Sequence, residues 1–581
     1  MSVLLKQFKR RDYALLCVSL VFIITQVWLE LRLPDYMSEI TMLVQTDGSA
    51  MADVLSAGGR MLLCALGSLV CAVCTAGLAS VLSSGFSSQL RSALFERVER
   101  FSLAEINQFS TASLITRSTN DVTQVQMLIV MGLQVVVRAP VMAALAIGKI
   151  AGKSGSWTTA TAVAVVIQLA SVIICISLAQ PRFRKLQQLT DDVNRVMREE
   201  LTGLRVVRAY NAEDYQQGKF EQVNDALTRT QLFAHRVMCF LSPGISLIMS
   251  ALGLAIYLIG AQLMTSAGIP ERVELFADMV VFSQYAMQIL SSFMMLVMIF
   301  VMLPRASVAA KRIAEVLNTK PTIQNGSAVS GAEGLRGEVE LRDVSFRYGD
   351  ADGDVLEHIS FTAHRGETVA IIGATGCGKT TLVDLIPRFY DATGGTVLVD
   401  GRDVREYDLH ALRSKIGYVS QRATLFGGTV RSNVAFGAGA DENGVEAAVR
   451  TAQAEPFVTE LERTYDAHVA QGGVNLSGGQ KQRLSIARAL CRESEILIFD
   501  DSFSALDYKT DRVLREALER DVHDTTRIIV AQRIGTIRNA DRILVLDDGR
   551  IVGNGTHDEL MQTCRVYQEI AYSQLSKEEL A

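Results

Sequence analysis

Long apolar runs separated by polar, helix-prone connections occupy the first half of the chain, whereas short strand-like runs cut by glycine turns fill the second. Runs of the ~20 residues needed to cross a bilayer fall near Tyr13–Leu33, Met61–Leu82, Met127–Gly148, Thr158–Ala179, Val237–Met264 and Phe276–Leu303. They predict six membrane-spanning helices. The connections between the second and third spans and between the fourth and fifth are long and basic, carrying Arg91, Arg97, Arg100, Arg182, Arg184, Lys185, Arg195, Arg198, Arg205 and Arg208. The first opposite loop holds Asp35, Glu39, Asp47 and Asp53 with no base between them. Basic residues favour the cytoplasmic side, so both termini and both long connections are expected there, in a multi-pass protein of the inner (plasma) membrane. Lys6, Lys9, Arg10 and Arg11 before the first span read as a retained signal anchor.

After Lys311 and Arg312 the pattern becomes strand, helix and glycine turn, the signature of a soluble α/β unit. A stretch rich in Gly, Ser and Asn from Pro321 to Gly337 predicts a linker, dividing the chain into a transmembrane domain, 1–320, and an α/β domain, 321–581.

Composition narrows the function classes. With 20% charged residues and a net charge of −5 over 581 residues, no polyanion-binding surface is implied, and nucleic acid is excluded as the expected partner. The nine cysteines are an odd number and lie mostly inside apolar runs, against a secreted disulfide framework. Cys71 and Cys74 form a C-x-x-C, but within an apolar run and without a second ligand pair.

The chemistry sits in the second half. An apolar strand leads into Gly373, Ala374, Thr375, Gly376, Cys377, Gly378, Lys379, Thr380 and Thr381, a glycine-rich turn opening a helix: a P-loop. Backbone N–H groups of such a turn close around phosphates at a helix N-terminus. Lys379 is expected to reach the β- and γ-phosphates of ATP, and Thr380 to ligand Mg²⁺. Cys377 lies in the same turn, where a thiol is expected to be reactive and shielded by nucleotide. Further on, an apolar run ends in Asp500 and Asp501, placed to hold Mg²⁺ and to orient an attacking water.

Between these motifs lies Leu476-Ser477-Gly478-Gly479-Gln480, and with it the chain resembles the ATP-binding cassette (ABC) family. The resemblance implies an exporter-type fold: an α-helical transmembrane domain of six helices followed by an α/β P-loop cassette. It also implies that Tyr348 stacks on adenine, that Gln421 is the Q-loop residue near the metal, and that Ser504 to Asp507 is the D-loop. In the membrane half, Ser113 to Val122 and Leu201 to Asn211 resemble the intracellular loops, with coupling helices expected near Ile106–Leu114 and Tyr210–Gln217. In the family, each ATP lies between one cassette's P-loop and its partner's signature. The chain therefore reads as half of a transporter, needing a second half-transporter subunit and a lipid bilayer.

Two positions depart from the family. Asp501 stands where a competent member has Glu, and a carboxylate shortened by one methylene is withdrawn from its water. Gln532 stands where the switch histidine belongs, and a neutral amide cannot take its proton or charge. With an intact signature (Ser477, Gly478, Gly479, Gln480), this pattern is similar to the degenerate-site subunit of heterodimeric bacterial multidrug exporters. Gln471, where Glu is usual, is a further departure.

Cargo is less legible. Met279, Met287, Met294, Met295, Met298 and Met302 populate the sixth span, and methionine serves an adaptable amphipathic or apolar cargo pocket as well as gap-filling between helices. Glu30, Arg32, Arg138, Gln134, Gln168, Gln262 and Gln288 are costly in lipid and are expected to face the interior or a partner, Arg138 in a structural pair. ATP-driven export is the expected activity, the alternatives being an importer of the same architecture and an ATP-gated channel or regulatory subunit.

Overall fold

The computed structural model describes residues 8–45, 50–151, 155–266, 268–349, 351–437, 439 and 441–574; the side chains of 184, 266, 269–270, 297–302 and 304 lie outside that description. Lys6 and Asp47, and the side chains of Arg184, Met298 and Met302, therefore fall outside it. The chain forms two compact units, one of residues 1–99 and 111–319, the other of residues 100–110 and 320–581.

The described residues of the first unit form helices joined by short turns. Among the described residues, six helices are long and apolar enough to cross a membrane: Arg10–Gln45, Met51–Glu99, Thr111–Ile150, Gly155–Ala209, Glu213–Thr265 and Glu271–Leu296. Lipid offers backbone groups no hydrogen bonds, so apolar segments of this length close their own as helices. The first five predicted spans each lie in one of them, and the sixth, Phe276–Leu303, lies in the helix Ile269–Asn318 that contains the last. The third contains two π-turns, Arg117–Asp121 and Gly132–Val137, the second running directly into Arg138.

Polar residues within this unit pair across helices. Arg138 donates one nitrogen to both oxygens of Glu30, at 2.8 and 2.9 Å, and Gln26 and Ser68 also donate to Glu30. Lys149 lies 2.6 Å from Asp35, which the Tyr285 hydroxyl also reaches at 2.6 Å. Gln168 is buried and donates to the Leu290 carbonyl. For Met279 the alternatives resolve as gap-filling. A Cβ on Gly260 would lie 2.4 Å from the Met279 sulfur, so the Met279 side chain occupies room left by a helix glycine, while the Met287 methyl meets Gly253 at ordinary contact distance.

The second intracellular connection differs from expectation. The helix Gly155–Ala209 ends in a turn with Asn211 at φ 48°, and Glu213 already begins the next long helix, so Tyr210–Gln217 holds a turn and a helix start rather than a separate coupling helix.

In the second unit, strands β1 (Val339–Phe346), β2 (Leu356–Ala363), β3 (Thr368–Gly373), β4 (Gly394–Val399), β5 (Arg402–Asp403) and β6 (Ile416–Val419) precede a largely helical stretch containing β7 (Gly428–Thr429) and β8 (His468–Val469). After it come β9 (Ile496–Asp500), β10 (Thr526–Val530), β11 (Arg542–Asp547) and β12 (Arg550–Gly555). β2-β1-β4-β5 form an antiparallel sheet, while β11-β3-β10-β9-β6 run parallel with β12 added antiparallel. The central strands β9 and β10 are buried at every residue, as parallel strands covered on both faces must be. The stretch Pro321–Gly337 is bonded along the cassette, through Gly326 N–H to Tyr407 O, Ala328 N–H to Glu406 O and Ala332 N–H to Asp400 O. Gly326 is required there, because a Cβ would sit 2.2 Å from the Glu406 carbonyl oxygen.

Candidate functional site

Parallel strands end their hydrogen-bond ladder together, and the crevice beyond their carboxyl ends is where α/β folds bind ligands. In the order β3-β10-β9-β6, that edge gathers the P-loop after β3, Gln532 after β10, Asp500 and Asp501 at β9, and Gln421 after β6.

The P-loop turns through Gly376 and Gly378 at φ 89° and 98°, where L side chains are strained, and enters the helix Lys379–Leu385. Gly373 is held by closeness to β11: a Cβ would lie 2.1 Å from the Leu546 carbonyl oxygen. Lys379 is buried, its Nζ donating to the carbonyls of Gly373 and Ala374 at 2.8 and 2.7 Å, so the ammonium is folded over the turn it is expected to arm. The Cys377 thiol turns inward, packing in the core beside Lys379 Nζ at 3.6 Å. Its burial corrects the expectation of a reactive thiol.

Thr380 Oγ1 donates to Asp500 Oδ1 at 3.0 Å. Burial raises the Asp500 pKa above the usual carboxylate range. Hydroxyl and carboxylate form an oxygen-only pair of the kind that suits a hard divalent cation, so these side chains fit Mg²⁺. Behind them Asp384, on the P-loop helix, accepts from the Tyr418 hydroxyl at 2.9 Å. Burial and the charge of Asp500 push the Asp384 carboxyl up to about 6.

Asp501 has φ 46° and is tied through its N–H to the Val530 carbonyl. A short polar side chain tolerates that left-handed conformation. Its Oδ2 receives two amide donors, Gln532 Nε2 at 2.7 Å and Gln421 Nε2 at 3.2 Å. The carboxylate at the base position is thus clasped by two groups that cannot accept its proton.

The signature lies elsewhere on the cassette. Ser477 caps the helix Gly478–Leu490 in a reciprocal box with Gln480. Ser477 and Gly478 are exposed, and among the described residues no hydrogen bond joins Ser477 to the P-loop. Gly479 packs near Ala505 and Leu506 of the D-loop, and Asp507 caps the helix Tyr508–Asp521 with bonds to Thr510 N–H and Oγ1. Gln471 is exposed. Tyr348 hydrogen-bonds Thr381 Oγ1 at 2.9 Å and meets Phe346 and Tyr390 edge-on, with centroids at 4.9 and 5.4 Å.

The first intracellular loop also reaches the cassette unit. Its short helix is Leu103–Phe109, three residues ahead of the expected start, and ends at Ser110 with φ 59°. Glu105, Asn107, Asp384 and Tyr390 were not anticipated at the site. Only Glu105 had a sequence signal, the capping-box spacing Ser102-x-x-Glu105.

A P-loop strand, a buried carboxylate strand and an exposed Ser-Gly-Gly helix cap define an ATP-binding cassette, here on a chain with membrane-spanning helices. Residues 16–294 match the ABC transporter transmembrane region and residues 356–504 match the ABC transporter cassette. An uncharacterised ABC transporter ATP-binding protein of Mycobacterium tuberculosis is 43% identical over 468 residues, covering 80% of this chain and 79% of its own. YfiB of Bacillus subtilis, likewise an uncharacterised ABC transporter ATP-binding protein, is 37% identical over 473 residues, 80% of each chain. An ATP-dependent lipid A-core flippase of Aromatoleum aromaticum is 37% identical over 398 residues, 68% of this chain and 65% of its own. A bacterial Atm1-family ABC exporter solved with ATP bound is alike in fold, with TM-score 0.78 over 97% of this chain and 98% of that one, at 24% identity. The chain belongs to the ABC transporter family. It is a multi-pass half-transporter of exporter-type fold, with a transmembrane region and an ATP-hydrolysing cassette on one polypeptide.

Proposed function

We propose that this chain is the degenerate-site subunit of a heterodimeric exporter in the cell's inner (plasma) membrane, with its termini and cassette in the cytoplasm. Residues 1–320 carry the cargo path and 321–581 bind Mg-ATP. The observation that carries this reading is the clasp on Asp501: Gln421 and Gln532 both donate to its Oδ2. The two amides fix the shortened carboxylate through Oδ2, and neither can relay onward a proton taken from the water. Hydrolysis at this P-loop is therefore slow, while nucleotide is still held by the turn, with Tyr348 under the adenine. Thr380, Asp500 and Gln421 would hold Mg²⁺, which when bound supplies positive charge against the β- and γ-phosphate oxygens.

The Ser477 to Gln480 cap, with Ser477 and Gly478 exposed, is free to meet the γ-phosphate on the second subunit's P-loop, completing a competent site there. Closure of the two cassettes over ATP would switch the membrane halves from inward- to outward-facing. Relatives named lipid A-core flippases support an amphipathic or apolar cargo, as does the apolar character of the spans. The test is ATPase activity of the purified chain alone against the chain co-purified with a half-transporter carrying Glu and His at these two positions. Slow turnover alone and fast turnover in the pair are expected; equal rates would overturn the division of labour.

A further inference from the structure

The first cytoplasmic loop belongs to the cassette's compact unit, and it is locked there. Glu105 is 3% exposed, and all of its hydrogen-bonding capacity is engaged. Ser102 N–H and hydroxyl both donate to Oε2 at 2.7 Å, while Thr322 N–H and hydroxyl donate to Oε1 at 3.1 and 2.8 Å. Burial alone would raise the Glu105 pKa; the bonds from Ser102 and Thr322 outweigh it and hold the carboxyl below its ordinary range. The helix Leu103–Phe109 cannot turn without unpairing this carboxylate, so the residues beyond Glu105 keep a fixed direction.

One of those residues is Asn107. Its Nδ2 donates to the Tyr390 hydroxyl at 3.2 Å, and the Tyr390 ring stands perpendicular to that of Tyr348. Loop helix and aromatic pair wall a cavity of 570 Å³, roomy enough for a purine. With one Nδ2–H given to Tyr390, which fixes the plane of the amide, Asn107 Oδ1 is an acceptor with no partner among the described residues.

We propose that Asn107 is a specificity-determining residue of the nucleotide site, accepting from the 6-amino group of adenine and rejecting a 6-oxo purine, with Glu105 and Tyr390 as its positioning residues. The inference rests on the reading of Tyr348 as the purine platform. Adenine carries a donor at its 6-position, which meets the Asn107 oxygen with opposite polarity; hypoxanthine presents an oxygen there, which sets acceptor against acceptor. The discrimination comes from the hydrogen bond that only the 6-amino group can give to Asn107 Oδ1.

The experiment is equilibrium binding of Mg-ATP and Mg-inosine triphosphate to the full-length chain in lipid nanodiscs. The unaltered chain should prefer ATP by about fivefold, the worth of one neutral hydrogen bond. Asn107→Ala, at an exposed position, should bring the ratio close to one, chiefly by weakening ATP; Tyr390→Phe, which frees the amide to turn, should do the same. Tyr348→Ala should weaken both nucleotides alike. A ratio unchanged in Asn107→Ala, or an equal fall for both nucleotides, overturns the role of Asn107. Lys379→Ala separates the two readings: it should weaken both nucleotides, and if neither depends on Lys379 the nucleotide site itself has been misplaced.

Discussion

The Gln532 amide donates to Asp501 Oδ2 at 2.7 Å, closing the carboxylate between itself and Gln421. A histidine there could pass the same oxygen a proton or take one from it; glutamine can only hold it still. The pairing of a shortened acid with an amide thus converts a relay into a brace.

Restoring the relay should restore chemistry. Asp501→Glu with Gln532→His is expected to raise kcat of the chain alone on the order of 10²-fold, the usual scale of general-base catalysis. Each single change should do much less, because a longer acid is still clasped by the amide and a histidine still faces a withdrawn one. Phosphate release by the purified single and double variants is the measurement, and a double variant no faster than either single one contradicts the account.

Two substitutions of similar severity should fail differently in the assembled pair. Ser477→Ala with Gly478→Asp removes a transition-state contact from the partner's site and should lower kcat severely. Lys379→Ala weakens retention of nucleotide on this chain and should leave measurable turnover, since it acts only through the closure equilibrium. Steady-state kinetics with trapped nucleotide counted per site distinguishes them. Abolition by Lys379→Ala, with turnover surviving the signature change, reverses the assignment.

Asp384 should make the cassette's stability depend on pH in a particular sense. Its folded pKa of about 6 lies above the unfolded value near 3.8, so the folded state binds the proton more tightly. Stability from this group is complete below about pH 4 and falls as pH rises through 6. Asp384→Asn keeps an acceptor for Tyr418 and removes the charge beside Asp500. It should stabilise the nucleotide-free protein by roughly 1–2 kcal/mol at pH 7.5, after allowance for solvent screening, and by about a third of that at pH 4.5. Thermal unfolding of both proteins at the two pH values is the check; a gain that is larger at pH 4.5 refutes the sign.

The Glu30–Arg138 pair should behave as a unit. Glu30→Gln or Arg138→Gln alone leaves one charge without its partner among the spans, a loss on the order of 2 kcal/mol for this half-buried pair, between the values of exposed and buried ones. The double variant should recover at least half of the summed loss. Unfolding in detergent for all four combinations gives the coupling energy, and strictly additive losses exclude a functional pair.

Length and hydropathy were sufficient to locate every span, because a lipid core forces long apolar runs into helices whatever their neighbours. The P-loop, Asp500 and the signature were legible for a related reason: their work requires local spacing. What joins distant residues left no local mark. Asp501 and Gln532, 31 residues apart, were placed in one site by the family resemblance alone, and Glu30 was shown as the partner of Arg138, 108 residues away, only when the fold brought them together. The loop helix was placed three residues late although Ser102-x-x-Glu105 announced its cap, and its end at Ser110, a non-glycine residue at positive φ, carried no signal. The methionines show the opposite difficulty. Their place in the sixth span could be read but not their purpose, which for Met279 depended on Gly260 in another helix.

Glu105 and Thr322 are separated by 217 residues, which gives their hydrogen bonds a place in the order of synthesis. At the usual ribosomal rate of about 5–20 residues per second, Glu105 waits roughly 10–40 s for the backbone that will shelter it, while four further spans are made and inserted. Throughout that interval its carboxylate is best left in water, so the loop stays open until the linker arrives. The cassette is thus completed by a piece translated long before it. Grafting residues 321–581 onto another transporter would leave that piece behind, and a functional chimaera must inherit both stretches from the same parent.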